Sequence, residues 1–136
     1  MKTTERLLAH KKTYLILAIF WSALVAYFCL KDGLHLPKNL PKNFDKLGHI
    51  TFHFGVVVSW FLYLKSRQTK VPTRKILLQS ILISVFFGVL LEFFQSAFTD
   101  TRTADWHDVL ANSIGASMAS FVIYFVRKSI LKSDGL

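Results

Sequence analysis

Residues 85–98 read VFFGVLLEFFQSAF, an apolar run with a single carboxylate, Glu92, inside it. An ionised side chain in hydrocarbon costs roughly 2.5–3.5 kcal/mol even on lenient insertion scales. The run therefore reads as a helix whose one charged face turns away from lipid. Two neighbouring stretches repeat the pattern. Residues 44–60 (FDKLGHITFHFGVVVSW) place Asp45, Lys46 and His49 at the start of an apolar run. Residues 103–121 (TADWHDVLANSIGASMASF) do the same with Asp105, Asp108 and Asn112. Three helices that each carry polar groups near one end are expected to gather them into one site, and ionisable groups at membrane depth read by default as functional.

Working outward, four runs near residues 13–30, 48–64, 75–98 and 107–126 are apolar enough to cross a bilayer, which takes about 20 residues per helix. The chain has 136 residues, of which 52% are hydrophobic, so they leave little room for a soluble domain. The expectation is an all-α polytopic membrane protein, one transmembrane domain over residues 1–136 built as a four-helix bundle. The first run follows Lys2, Arg6, Lys11 and Lys12, as a secretory signal would. It is too long for a signal core and no small-x-small cleavage site follows, so it reads as a retained helix. Cys29 is the only cysteine, which excludes an intramolecular disulfide.

The net charge of +9 does not indicate nucleic acid, because the basic residues collect in the connections. Of 17 Lys and Arg, 12 precede the first run, join the second to the third in KSRQTKVPTRK, or follow the fourth. The positive-inside rule then places both termini in the cytoplasm. Six of the 8 acids fall on the opposite side: Asp32, Asp45, Glu92, Asp100, Asp105 and Asp108. The polar groups would thus open to the extracytoplasmic face. The connection on that side carries the tandem LPKNLPKN at residues 36–43, whose prolines disfavour helix. It reads as a stiff solvated loop, or as a basic lid using Lys38 and Lys42.

Residues three or four apart share a helix face. Asp45, His49 and His53 form one such stripe; Ser84, Gly88, Glu92 and Gln95 a second; Asp105, Asp108 and Asn112 a third, continuing into Gly115 and Ala119. Small residues in these stripes allow close backbone approach in a membrane. Glu92, Asn112 and His53 are each about 9 Å from their helix ends, which predicts a ring at one depth. Glu92 is the candidate general acid or base, or else a clamp to Asn112 or His53. A hard-metal site of Glu92, Asp105 and Asp108 is one expectation, and a zinc site using His49 and His53 another. Arg102 and Lys46 either pair with neighbouring acids or present charge to a phosphate or carboxylate. His107, Trp60, Tyr63 and Tyr124 read as interfacial.

The segments DKLGHITFHF (residues 45–54) and EFFQSAFTDTRTADWHDVLANSIGA (residues 92–116) resemble the VanZ-like family of bacterial integral membrane proteins, named for an association with teicoplanin resistance. The resemblance implies family positions at Asp45, Lys46, His49, Glu92, Gln95, Arg102, Asp105, Asp108, Asn112 and Gly115. It implies location in the bacterial cytoplasmic membrane, with no activity established for most members. Two readings follow. In one, the pocket binds or modifies an envelope lipid, a polyprenyl phosphate or anionic phospholipid. Lys46, Arg102, Gln95, Asn112 and Asp45 would bind it, and Glu92, His49, Asp105 and Asp108 would do the chemistry. In the other, the polar groups hold helices together in a non-catalytic scaffold. A small proton-coupled transporter is a third possibility.

Overall fold

Each of the four apolar runs forms a helix, and among the described residues there is no strand. The computed structural model describes residues 2–31, 44–98 and 105–133, with side chains over residues 10–31, 44–98 and 105–129. The helices are α1 (Lys2–Leu30), α2 (Phe44–Arg67), α3 (Thr73–Phe98) and α4 (Trp106–Ser133). All four carry a stretch long and apolar enough to cross a membrane: His10–Leu30, Phe44–Arg67, Thr73–Phe98 and Trp106–Ser129. Every helix except at the C-terminal end of α1 and α3 runs past its apolar run. The apolar run marks the part that suits lipid, whereas the backbone ladder continues into the polar flanks.

The α2–α3 connection shows how the chain reverses. The Gln68 amide bonds the Leu64 carbonyl at 2.8 Å and closes α2, and Val71 then bonds back to Gln68 at 3.1 Å. The Pro72 carbonyl accepts from Lys75 and Ile76 and starts α3. Proline suits this position, where a helix has no use for its missing N–H. The LPKNLPKN segment, Arg102, Asp32 and Asp100 lie outside the described residues.

Helix α2 touches all three others and α3 touches both α1 and α4, while α1 and α4 flank this central pair without meeting. The α2–α4 crossing is the tightest, because a Cβ on Gly115 would run into the backbone of Ile50. Ala116 and Ala119 continue that small face against Val57. Phe86, Phe93 and Phe121 stand exposed on the outside, where lipid would cover them. Hydroxyls on the helices bond their own backbone four residues earlier, as Ser113 does to Val109 at 2.8 Å, Ser120 to Ala116 at 3.0 Å and Ser80 to Ile76 at 2.9 Å. This satisfies them without water.

The two ends of the bundle differ in content. Around Phe61, Ile76 and Leu77 the interior is hydrocarbon, joined by Leu64, Val71 and Ile123. At the other end, where α2 and α4 begin and α3 finishes, the buried residues include His49, Glu92, Gln95, Asp108 and Asn112.

Candidate functional site

Lys46, on the first turn of α2, is the hub of the polar end. Its ammonium donates to Asp105 Oδ2 at 2.7 Å, forms a close hydrogen-bonded ion pair with Asp108 Oδ1, and lies 3.2 Å from Asp45 Oδ2. Three carboxylates therefore share one ammonium, and Lys46 has no donor standing idle for an external anion. Arg102, the other residue expected to hold a head group, lies outside the described residues.

Asp105 is the N-cap of α4. Its Oδ1 accepts from the backbone N–H of His107 at 2.9 Å and lies 2.7 Å from His107 Nδ1. Its carbonyl takes the Asp108 amide at 2.9 Å. This is the N-cap arrangement that satisfies the orphan donors of a first helical turn. The hydrogen bond from Lys46, with those from the His107 backbone and ring, holds the Asp105 carboxyl well below the usual carboxylate range.

One turn further in, His49 Nδ1 pairs with Asn112 Oδ1 at 3.0 Å, and His49 Nε2 faces Asp108 Oδ2 at 3.6 Å. An amide oxygen only accepts, so Nδ1 carries the proton. Glu92 reaches toward the same place from α3. Its residue is 5% exposed; Oε2 accepts the Asp105 amide at 3.3 Å, and Oε1 is buried with no hydrogen-bond partner. Such an orphaned buried oxygen is uncommon and calls for an explanation.

The ring predicted at one depth divides into layers. Asn112 pairs with His49, but His53 Nδ1 pairs with Ser84 Oγ at 2.8 Å. Ser84 is two turns, about 12 Å, from Glu92 along α3. Gly88 lies between the layers, where a Cβ would stand 2.8 Å from Asn112 Nδ2 and 3.0 Å from His53 Cε1. His49 and His53 thus face different partners, which separates the two ligands expected of a zinc pair. Glu92 contacts neither Asn112 nor His53 by hydrogen bond in the way a clamp would require; its partner is the backbone where α4 begins. Gln95 donates to the Cys29 carbonyl at 2.6 Å and ties α3 to the end of α1. Asp45 is half-exposed at the rim, and His107 is exposed, its ring tilted against that of Trp106. The tie to α1 was not foreseen, since a backbone carbonyl acceptor leaves no mark in the sequence.

A cavity of about 610 Å³ opens beside this network between α2 and α4. Its mouth is charged (Asp45, Lys46, Asp105 and His107), and its deeper wall is apolar (Ile50, Leu110 and Ile114).

The fold and the buried polar end define a multi-pass membrane-helix bundle with a cluster of titratable groups at one end. A family model described as VanZ/LLP1 matches residues 3–127, nearly the whole chain, and the protein belongs to that VanZ family. No curated protein and no solved structure matches the chain.

Proposed function

We propose that this VanZ family protein binds an envelope lipid by its head group on the extracytoplasmic side and acts on it with Glu92 as general acid or base. The observation that carries the reading is the groove between α2 and α4. A charged mouth above an apolar wall has the polarity of an amphiphile, head outward and chain inward. The buried, half-partnered Glu92 lies behind the mouth, joined to it through the Asp105 amide. The basic residues Lys65, Arg67, Arg74, Lys75 and Arg127 fall toward the opposite ends of their helices, which supports an outward orientation for the site. Family membership makes teicoplanin susceptibility the phenotype to score.

A scaffold reading is favoured by one set of contacts: His49 to Asn112, His53 to Ser84 and Gln95 to Cys29 all bond between helices. The two are separated by native mass spectrometry of protein released gently from its own membrane, beside Ile114→Trp, which fills the groove. The lipid reading expects a co-purifying lipid that Ile114→Trp loses. The same lipid complement on both proteins would reject the groove as its seat.

A further inference from the structure

The geometry points to a divalent-cation site made by His49, Glu92 and Asp108. One ligand atom from each of the three lies within 4.8 Å of the others, and all three residues are buried. Each also has a neighbour that fixes its orientation. Asn112 takes the Nδ1 proton of His49, leaving the Nε2 lone pair turned toward Asp108. Lys46 occupies Asp108 Oδ1, leaving Oδ2. The Asp105 amide occupies Glu92 Oε2, leaving Oε1 without a partner. What remains is one imidazole lone pair and two carboxylate oxygens.

A second proton on His49 would answer Asp108 but leave Glu92 Oε1 orphaned. A divalent ion answers all three and matches the charge of two carboxylates. Histidines that ligate metals ordinarily donate their other ring N–H to an oxygen acceptor, as His49 does to Asn112. Donors on one ion with bonds of about 2.1 Å lie roughly 3.0–3.4 Å apart, so the 3.6 Å between His49 Nε2 and Asp108 Oδ2 needs little closure. Glu92 must draw in further, by a rotation of its side chain. One imidazole with two carboxylates suits Zn²⁺ or Mn²⁺ better than Ca²⁺ or Mg²⁺. Asp105 is excluded from the set: Lys46 takes Oδ2, and His107 takes Oδ1.

The site deepens the lipid reading, with Glu92 acting on the lipid as a ligand of the ion rather than as a free acid or base, and only this consequence rests on that reading. Three carboxylates (Asp45, Asp105 and Asp108) already share the Lys46 ammonium, which makes this a poor place for a bare phosphate. A bound cation with an open coordination position would bridge the carboxylates to a phosphate oxygen.

The test titrates full-length protein in nanodiscs, stripped with chelator, with Zn²⁺ and separately with Mn²⁺. The expected result is one ion per chain, with Mn²⁺ showing nitrogen coupling from an imidazole in its pulsed paramagnetic-resonance spectrum. Glu92→Gln and Asp108→Asn should weaken binding by about 100-fold or more, and Asp105→Asn by no more than about 10-fold. Wild type that binds no stoichiometric ion, or binds one without nitrogen coupling, overturns the site, and neither measurement depends on a variant folding. Binding unchanged in a folded Glu92→Gln overturns it too. Lipid is scored on the same samples by mass spectrometry. Ion without lipid keeps the site and sinks the lipid reading, and lipid without ion does the reverse.

Discussion

At one end of the bundle, Phe61, Ile76 and Leu77 interlock with Leu64, Val71 and Ile123; Lys65 donates to the Val71 carbonyl at 3.0 Å, Arg74 to Tyr124 at 3.3 Å, and the Arg127 guanidinium lies over the Phe61 ring. At the other end the same helices α2, α3 and α4 meet through Lys46, His49, Glu92, Asp108 and Asn112. At the first end these helices associate mainly by hydrocarbon packing. The second end joins them through polar side chains instead. It carries buried charge whose desolvation is costly, and whose replacement by well-packed apolar residues is often neutral or stabilising. Groups kept at such a cost are candidates for chemistry rather than for support.

The contrast can be broken most directly at Glu92. Glu92→Gln, nearly isosteric, should lower turnover of a reconstituted envelope lipid by about 10²-fold or more if the residue is a general acid or base, with unfolding unchanged. Activity equal to wild type would move Glu92 to the supporting role. Asp108→Ala comes next, because it removes the most buried of the three carboxylates on Lys46 and the one that faces His49 Nε2. Removing one partner of a buried ion pair costs about 3–5 kcal/mol, readable in bilayer unfolding by steric trapping; a loss of only a few tenths would mean that the network is wet and loosely held. Phe61→Ala, at the apolar end, should cost about 2 kcal/mol, less than the same change in water, because lipid is as apolar as the cavity it fills. It should leave lipid turnover per folded molecule intact, and a loss of turnover would erase the distinction between the ends.

The smallest effect concerns Asp105. Its carboxyl is held below the ordinary range first by the Lys46 hydrogen bond and then by His107. A carboxyl depressed on folding adds stability above its unfolded value of about 3.9. That contribution is lost as pH falls through the lower folded value. Stability should therefore start to decline below about pH 4, and Asp105→Asn should flatten that decline while lowering the melting temperature slightly at neutral pH. An identical acid profile in the two proteins would remove Asp105 from the ion-pair network.

Much of this arrangement was legible from spacing. The stripe Ser84, Gly88, Glu92, Gln95 is buried in full, and so are His49 and His53 at their i, i+4 interval. Gly115 makes the close approach that its place in a small-residue stripe suggested. Helix ends were less legible, since hydrophobicity records lipid and not hydrogen bonding. Asp105 looks like a member of the α4 stripe, but it precedes the helix and turns back to cap it. His53 was set level with Glu92 because distance from a helix end ignores the offset between neighbouring helices. That His49 lies beside Glu92 and Asp108 could be seen only once α2, α3 and α4 were placed together.

The Gly115–Ile50 crossing has one more consequence. Where two helices touch backbone to backbone, no rotamer change can open or narrow the gap between them. Ile50 and Ile114 line the groove beside that crossing, so the spacing of the two helices beneath it is fixed and only these side chains can reshape it. An occupant is then sorted by girth. If the proposed lipid binds there, the fixed spacing should favour one acyl chain over two, a preference that competition between one-chain and two-chain lipids of the same head group would measure.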